Sequence, residues 1–183
     1  MGLGSKYLPH HPRELSHLLS LAVEADSILE IGSRYGTVLY LLAGAMRGNR
    51  VVSIDLPNAP PWGNDSRADL ERYGRDLRKI GFDAKIHIGD SHDDRAIKFA
   101  KDNGPYDLVF IDGDHTYEGV KKDWENYGPL GKVVVFHDII KPGPKERQEL
   151  GVWRLWEEIK GNKTEFIGEG SKMGLGIVYA EAT

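Results

Sequence analysis

The chain of 183 residues contains no cysteine, and this absence limits the chemistry that it can perform. Without cysteine there is no disulfide framework, no thiolate zinc site and no cysteine nucleophile. The lack of cysteine also suits a cytoplasmic protein, which is the location that we predict.

Long apolar runs and an excess of basic residues are missing as well. No stretch approaches the ~18 consecutive apolar residues of a membrane span, and the first six residues contain no apolar signal core. The 24 basic and 28 acidic residues give a formal net charge of −4. Because nucleic-acid-binding domains usually carry a basic excess, we expect no nucleic acid and no membrane as partner, and a small molecule as substrate.

The composition that is present, 40% hydrophobic and 28% charged residues, is typical of a globular protein. We expect a single domain over residues 1–183, with residues 1–25 as a helical lead-in. Nearly continuous apolar runs, typical of strands buried on both faces of a parallel sheet, lie at 27–31, 50–54, 107–111 and 132–136, with a weaker run at 84–88. Helical spacing of apolar residues predicts helices over 13–24, 37–46, 66–80, 93–101, 117–127 and 152–159.

The end of the chain departs from this alternation of strands and helices. Two runs with strand character, 164–167 and 176–180, are separated only by a glycine-rich turn. Since so short a connection permits only antiparallel pairing, we predict a doubly wound α/β sheet that is mostly parallel and ends in a β-hairpin.

The first predicted strand leads into a turn with the sequence Gly32-Ser33-Arg34-Tyr35-Gly36, directly after Glu30 and Ile31. Ligands bind at the carboxyl edge of a doubly wound sheet, and glycine lets a ligand approach the backbone closely. The second strand is followed by Asp55, whose carboxylate can accept hydrogen bonds from two ribose hydroxyls. The turn therefore predicts a binding site for a nucleoside-containing ligand.

The spacing of this turn differs from that of a dinucleotide-binding loop. Such a loop reads G-x-G-x-x-G and places a pyrophosphate on a helix N-terminus, whereas three residues separate Gly32 from Gly36. The Glu30 carboxylate would repel phosphate groups but attract a cationic sulfonium or amine. A nicotinamide-dependent oxidoreductase is therefore the least favoured function.

These features resemble the first motif and the ribose-binding acid of the class I S-adenosylmethionine-dependent methyltransferases. The resemblance covers residues 26–180, including the terminal hairpin. It implies a Rossmann-like fold with a seven-stranded sheet in the order 3-2-1-4-5-7-6, whose last strand is antiparallel. It also implies S-adenosylmethionine as cofactor, bound by Glu30, Gly32, Ser33, Arg34, Tyr35, Gly36, Asp55, Leu56, Asp90, Ser91 and Asp112. For Asp90 an alternative stays open, because aspartate also favours the N-cap of the next helix.

Acidic residues and histidines follow two further strands that we expect to be neighbours. Asp112 follows the fourth strand, and His137 and Asp138 follow the fifth. Adjacent strands lie about 4.8 Å apart, and buried carboxylates that face each other repel strongly unless a proton or cation lies between them. A hard divalent ion such as Mg²⁺ takes oxygen ligands of this kind.

This pattern resembles the metal-dependent O-methyltransferases of the catechol and macrocin types. The resemblance implies a divalent metal bound by Asp112, His137 and Asp138, and catalysis by Asp112 and by His115, the latter as general base. Because His137 stands where the macrocin type has a carboxylate, Mg²⁺ is the first expectation and Mn²⁺ or another transition metal the alternative. Structural alternatives remain for both histidines. His137 points away, as neighbouring strand residues do, and His115 caps a helix that begins at residue 116 or is simply solvated.

Two loops are candidates for closing the site. Residues 57–63 contain Trp62, which either covers the adenosine or only anchors a surface loop. Residues 141–151 lie near the expected substrate entrance and contain Lys141, Lys145 and Arg147, which either attract an anionic substrate or only form a solvated loop. We predict metal-assisted O-methylation of a small hydroxylated molecule, for example a sugar. The alternative is a non-catalytic cofactor-binding or partner-binding module of the same fold. The small size and open substrate face also suggest a homo-oligomer.

Overall fold

The computed structural model describes residues 10–58, 66–144 and 149–180. Six of its helices are α1 Pro12–Ala22, α2 Thr37–Ala45, α3 Arg67–Lys79, α4 Asp94–Asn103, α5 Tyr117–Tyr127 and α6 Val152–Glu158. Its strands are β1 Ser27–Ile31, β2 Arg50–Asp55, β3 Asp83–Ile88, β4 Tyr106–Ile111, β5 Gly131–His137, β6 Lys163–Phe166 and β7 Leu175–Tyr179. A short 3₁₀ turn at Gly128–Leu130 precedes β5. Each predicted strand and helix is present, with ends that differ by a few residues at most.

The seven strands form one sheet in the order β3-β2-β1-β4-β5-β7-β6, which confirms the predicted fold class. The pairs from β3 through β5 are parallel. Strand β7 lies between β5 and β6 and is antiparallel to both. The short connection between β6 and β7 therefore forms the hairpin that its length predicted.

Both faces of the sheet are covered, because successive side chains of a strand point to opposite faces. In β1, Ile28 packs with apolar residues of α1, α2 and α3. Its neighbours Leu29 and Ile31 pack on the other face with residues of α4, α5 and α6. Burial on both faces explains why the central strands are continuously apolar, and it leaves the carboxyl ends of the strands as the place for polar groups.

Within the described ranges, no helix is both long enough and apolar enough to span a membrane.

Candidate active site

A cavity of about 480 Å³ opens at the carboxyl ends of β1 to β5. Its volume lies within the range of about 300–1,000 Å³ that is usual for small-molecule sites. Every predicted site residue except Gly36 lines this cavity. Gly36 instead precedes α2 with a φ of 78°, and a Cβ atom there would lie 2.9 Å from Leu70 of α3. Gly36 therefore serves the packing of two helices.

Gly32 brings the first turn against the end of the fourth strand. Its φ is +88°, a conformation that favours glycine. A Cβ atom at this position would lie 2.2 Å from the Asp112 carbonyl oxygen, well inside contact distance. Only glycine thus permits the two loops to form one wall of the cavity.

Asp55 presents one free carboxylate oxygen at the cavity. Its Oδ1 accepts a hydrogen bond of 2.8 Å from the backbone N–H of Arg34, while the buried Oδ2 has no hydrogen-bond partner among the described residues. Burial raises the pKa of Asp55 to about 6, although the Arg34 amide and charge oppose this. The neighbouring Leu56 is half exposed at the rim. One carboxylate oxygen of Asp55 is therefore available to accept hydrogen bonds from the hydroxyls of a ligand.

Glu30 is almost completely buried at the floor of the cavity. Burial raises its pKa to about 8, opposed by a hydrogen bond with Ser33 and reinforced by the charges of Asp112 and Asp55. The Ser33 hydroxyl also lies 2.7 Å from that of Ser53. With this pKa Glu30 is mostly protonated at neutral pH, and a cationic ligand would favour its ionised form.

Asp90 and Ser91 form the wall beside β3. The carboxylate of Asp90 accepts a hydrogen bond from the backbone of His92, and α4 begins later, with Asp93 as its N-cap. The alternative that Asp90 caps this helix is therefore wrong, because three residues intervene before the first helical turn. Ser91 donates a hydrogen bond of 2.8 Å to Asp123 of α5.

Asp123 is a residue that the sequence interpretation missed. It is fully buried in α5, where it accepts from Ser91 and lies 3.3 Å from the imidazole of His92. The signal was present in the sequence, since Val120, Asp123 and Tyr127 share the buried face of the helix. A carboxylate at helical spacing with apolar residues indicates a buried polar partner.

The ends of β4 and β5 bring a cluster of carboxylates and imidazoles together. His115 Nδ1 lies 2.7 Å from Asp138 Oδ2, and His115 Nε2 lies 3.5 Å from Asp112 Oδ1. His137 Nδ1 lies 3.3 Å from the same oxygen of Asp112 and 3.5 Å from Asp138 Oδ1. The predicted convergence of residues from two strands is therefore present in the structure.

His137 faces the cluster, so the alternative that it points away is wrong. The physical reason is the backbone of Asp138, whose φ of +64° ends the strand geometry. Strict alternation of side chains holds only within a strand, and the turn at Asp138 returns its side chain to the same point.

His115 does not cap α5, because that helix begins at Tyr117 with Thr116 as its N-cap. The Thr116 hydroxyl accepts a hydrogen bond from the Gly119 backbone. Burial lowers the pKa of His115, but the hydrogen bond to Asp138 and the charges of Asp112 and Asp138 outweigh it and raise the pKa to about 9. The imidazole is consequently protonated at neutral pH unless a cation shares the charge of those carboxylates.

Asp112 is the common member of the cluster. Burial alone would raise its pKa, but the imidazoles of His137 and His10 outweigh burial and hold the pKa well below its usual range. His10 Nε2 lies 3.0 Å from Asp112 Oδ2. The sequence interpretation left His10 open between a contact with substrate and no contact, because its distance from Asp112 along the chain leaves no local pattern.

Potential metal-ligating atoms occur here in two overlapping sets. One set combines His10, Asp112 and His137, and the other combines Asp112, His115 and Asp138. Within each set the atoms lie within 4.8 Å of one another. The carboxylate and imidazole donors suit a divalent cation.

The predicted closing loops lie partly outside the described residues. Trp62, Lys145 and Arg147 are among the residues that the structure does not describe. Of the second loop, Lys141 lies over the ring of Trp153 at 4.6 Å, and Glu149 lines the cavity.

The sequence is similar to two curated proteins. It is 29% identical over 128 residues to a catechol O-methyltransferase of Mycobacterium tuberculosis, which covers 69% of this chain and 54% of that protein. It is 25% identical over 191 residues to the uncharacterized protein y4gI of Sinorhizobium fredii, which covers 96% of this chain and 19% of that protein. The chain thus spans about half the length of the first relative and about a fifth of the second.

Solved structures share the fold. An O-methyltransferase from Bacillus cereus in complex with SAH superposes with a TM-score of 0.65 at 20% identity, covering 93% of this chain and 82% of that one. The O-methyltransferase TomG from Streptomyces achromogenes, in complex with SAM, gives a TM-score of 0.60 at 21% identity, covering 92% and 79%. A family model described as a methyltransferase domain matches residues 29–139, more than half of the chain. The chain therefore belongs to the methyltransferase-domain family, which confirms its resemblance to the class I methyltransferases.

Proposed function

We propose that this chain transfers a methyl group from S-adenosylmethionine to a hydroxyl oxygen of a small molecule, such as a sugar, with the help of a divalent cation. One observation carries the proposal: a single cavity holds the Gly32 turn with Glu30 and Asp55 at one end, and the cluster of Asp112, His115 and Asp138 at the other. We further propose that residues 1–183 form one methyltransferase domain.

The first end of the cavity suits S-adenosylmethionine. The free Oδ2 of Asp55 can accept hydrogen bonds from the ribose. Glu30, whose Oε2 is buried without a hydrogen-bond partner among the described residues, can ionise beside the cationic part of the ligand. Asp90 and Ser91 line the wall where the adenine would lie. Binding at these groups would direct the methyl group toward Asp112.

The second end suits an acceptor hydroxyl. Asp112, His137 and Asp138 are the residues that would hold the cation, which when bound favours loss of the hydroxyl proton. His115 Nδ1 contacts Asp138, so Nε2 is the atom left to accept that proton. The acceptor oxygen would then take the methyl group as the bond from that carbon to the sulfonium sulfur breaks, and S-adenosylhomocysteine would be the leaving group.

The first test is calorimetric titration of S-adenosylmethionine into the wild-type protein and Asp55→Asn, with and without Mg²⁺. We expect binding that weakens at least about tenfold in the variant, because one hydrogen bond to a charged group contributes roughly 1.5–3 kcal/mol. Asp102→Asn is the matched control, since Asp102 is an exposed partner of Lys98 on α4.

Absence of binding to the wild-type protein would overturn the proposal and favour a module that shares only the fold. Binding of NAD⁺ instead would favour an oxidoreductase. If S-adenosylmethionine binds, release of S-adenosylhomocysteine in the presence of hydroxylated acceptors, followed by mass spectrometry, identifies the acceptor class.

A further inference from the structure

His10 contacts the cluster of carboxylates and imidazoles from a part of the chain remote from the strand ends. It precedes α1, is 8% exposed, and contacts Asp112 at 3.0 Å. Its ring centre lies 4.4 Å from that of His137 and 6.0 Å from that of Phe110. His10 is thus held between an imidazole and an aromatic ring, with one nitrogen directed at the shared carboxylate.

The donors on this side of Asp112 differ in chemistry from those on the other side. His10, Asp112 and His137 supply two imidazoles and one carboxylate, whereas Asp112, His115 and Asp138 supply one imidazole and two carboxylates. Imidazole nitrogens suit first-row transition metals, and Mg²⁺ prefers oxygen ligands. The donor atoms of the histidine-rich set would therefore favour a first-row transition metal over Mg²⁺.

Glu14 provides an outer contact for this set. It is fully buried in α1, and its Oε1 accepts hydrogen bonds from the backbones of Gly168 and Gly174. Its Oε2 lies 3.9 Å from His137 Nε2, and neither atom has a hydrogen-bond partner among the described residues. A carboxylate behind a metal-binding histidine fixes which ring nitrogen faces the metal. Glu14 Oε2 faces Nε2 of His137 at a distance slightly longer than a hydrogen bond, and Nδ1, 3.3 Å from Asp112, is the nitrogen directed at the cluster.

We propose that His10, Asp112 and His137 bind a first-row transition-metal ion such as Mn²⁺, Fe²⁺ or Co²⁺ in preference to Mg²⁺, with His10 in place of Asp138 among the ligands proposed above. Glu14 is then a positioning residue for His137. This inference deepens the proposed function and rests on it for the role of the metal. The metal preference itself follows from the donor atoms, so metal binding can test it without a measurement of methyl transfer.

The experiment is a titration of metal-free protein with Co²⁺, followed by its visible absorption and by calorimetry. We expect Co²⁺ to bind the wild-type protein and a large excess of Mg²⁺ to fail to displace it. His10→Ala should weaken Co²⁺ binding at least about tenfold, and Glu14→Gln should weaken it about tenfold, in the range seen for outer contacts of metal sites. His17→Ala is the matched control, because His17 lies on the α1 helix that follows His10 but stacks on Phe166.

X-ray absorption of the Co²⁺-loaded protein provides a second readout, in which two imidazoles are expected. Displacement of Co²⁺ by equimolar Mg²⁺, or wild-type affinity in His10→Ala, would overturn the inference. Circular dichroism shows whether His10→Ala is folded, and if it is not, His10→Gln replaces it. Titration of the wild-type protein with S-adenosylmethionine separates the two proposals. If the protein binds Co²⁺ but does not bind S-adenosylmethionine, only the methyltransferase function is refuted.

Discussion

Gly32 joins the first strand's turn to the end of the fourth strand, and this contact admits no side chain. We predict that Gly32→Ala lowers the free energy of unfolding by at least about 2 kcal/mol, since its φ is positive and a Cβ would overlap the Asp112 carbonyl. Urea unfolding measures the change. Gly44→Ala is the control: Gly44 lies exposed in α2 with no atom near its missing Cβ, so this variant should gain up to about 1 kcal/mol. Equal effects in the two variants would contradict the prediction.

Asp55 gives the binding of ligand a specific pH dependence. Because burial raises its pKa to about 6, the Asp55 carboxylate becomes protonated as the pH falls through that value. We predict that the affinity for S-adenosylhomocysteine decreases below pH 6, by up to about tenfold per pH unit. Calorimetry in a pH series measures this, and Asp55→Asn should show weak binding without the same slope. Glu30 remains protonated throughout this range, since its pKa is about 8.

The arrangement of His137 and Asp138 depends on the backbone conformation of a single residue. Two adjacent residues of a strand would face opposite sides of the sheet. The left-handed φ of +64° at Asp138 turns the chain immediately after the strand, so both side chains reach Asp112 and His115. Aspartate is among the residues that adopt this conformation most readily, so Asp138 has a backbone role beside its carboxylate role.

At the scale of elements, Glu14 ties α1 to the hairpin loop between β6 and β7. We predict that Glu14→Ala lowers the free energy of unfolding by about 2–4 kcal/mol, because it leaves the backbone N–H groups of Gly168 and Gly174 buried without an acceptor. Glu14→Gln keeps an acceptor oxygen, so its free energy of unfolding should decrease clearly less. Urea unfolding of the two variants decides, and an equal loss in both would indicate that the charge rather than the hydrogen bonds matters.

Helix α1 and the segment just before it contact both the terminal hairpin and the cluster at the ends of β4 and β5. Glu14 contacts the hairpin through one oxygen and approaches His137 with the other. His10 lies just before the same helix and contacts Asp112. The segment that leads into the sheet thereby supplies groups to a site that is otherwise built from strand ends.

At the scale of the whole molecule, the buried carboxyl of Glu30 makes stability depend on pH. Its pKa is about 8 in the folded protein against an ordinary 4.5, so between these values the folded state holds a proton that the unfolded state has released. Stability is therefore lost as the pH rises through this range, by about 1.4 kcal/mol per pH unit for this group. The Glu30→Gln side chain stays neutral at every pH. We predict that the free energy of unfolding of this variant falls less steeply with rising pH than that of the wild type, by this slope. Urea unfolding in a pH series measures the difference, and parallel curves would contradict the assignment.

The sequence by itself determined the order of strands and helices, because burial on both faces makes strands continuously apolar and short connections permit only antiparallel pairing. It also located the groups at strand ends, such as Gly32, Asp55, Asp112 and Asp138, since parallel strands bring their carboxyl ends to one edge. These inferences depend on local pattern and on a resemblance that covers most of the chain.

Only the tertiary structure decided which further side chains join the predicted cluster and how its members are oriented. His10, just before α1, and Glu14, in α1, reach the cluster from a part of the chain far from the strand ends, and no spacing in the sequence encodes that contact. The orientation of His137 depends on one backbone dihedral at Asp138, and the roles of Asp90 and His115 depend on where the following helices begin. Such contacts arise from packing between elements, and they are absent from the local interactions that a sequence pattern reflects.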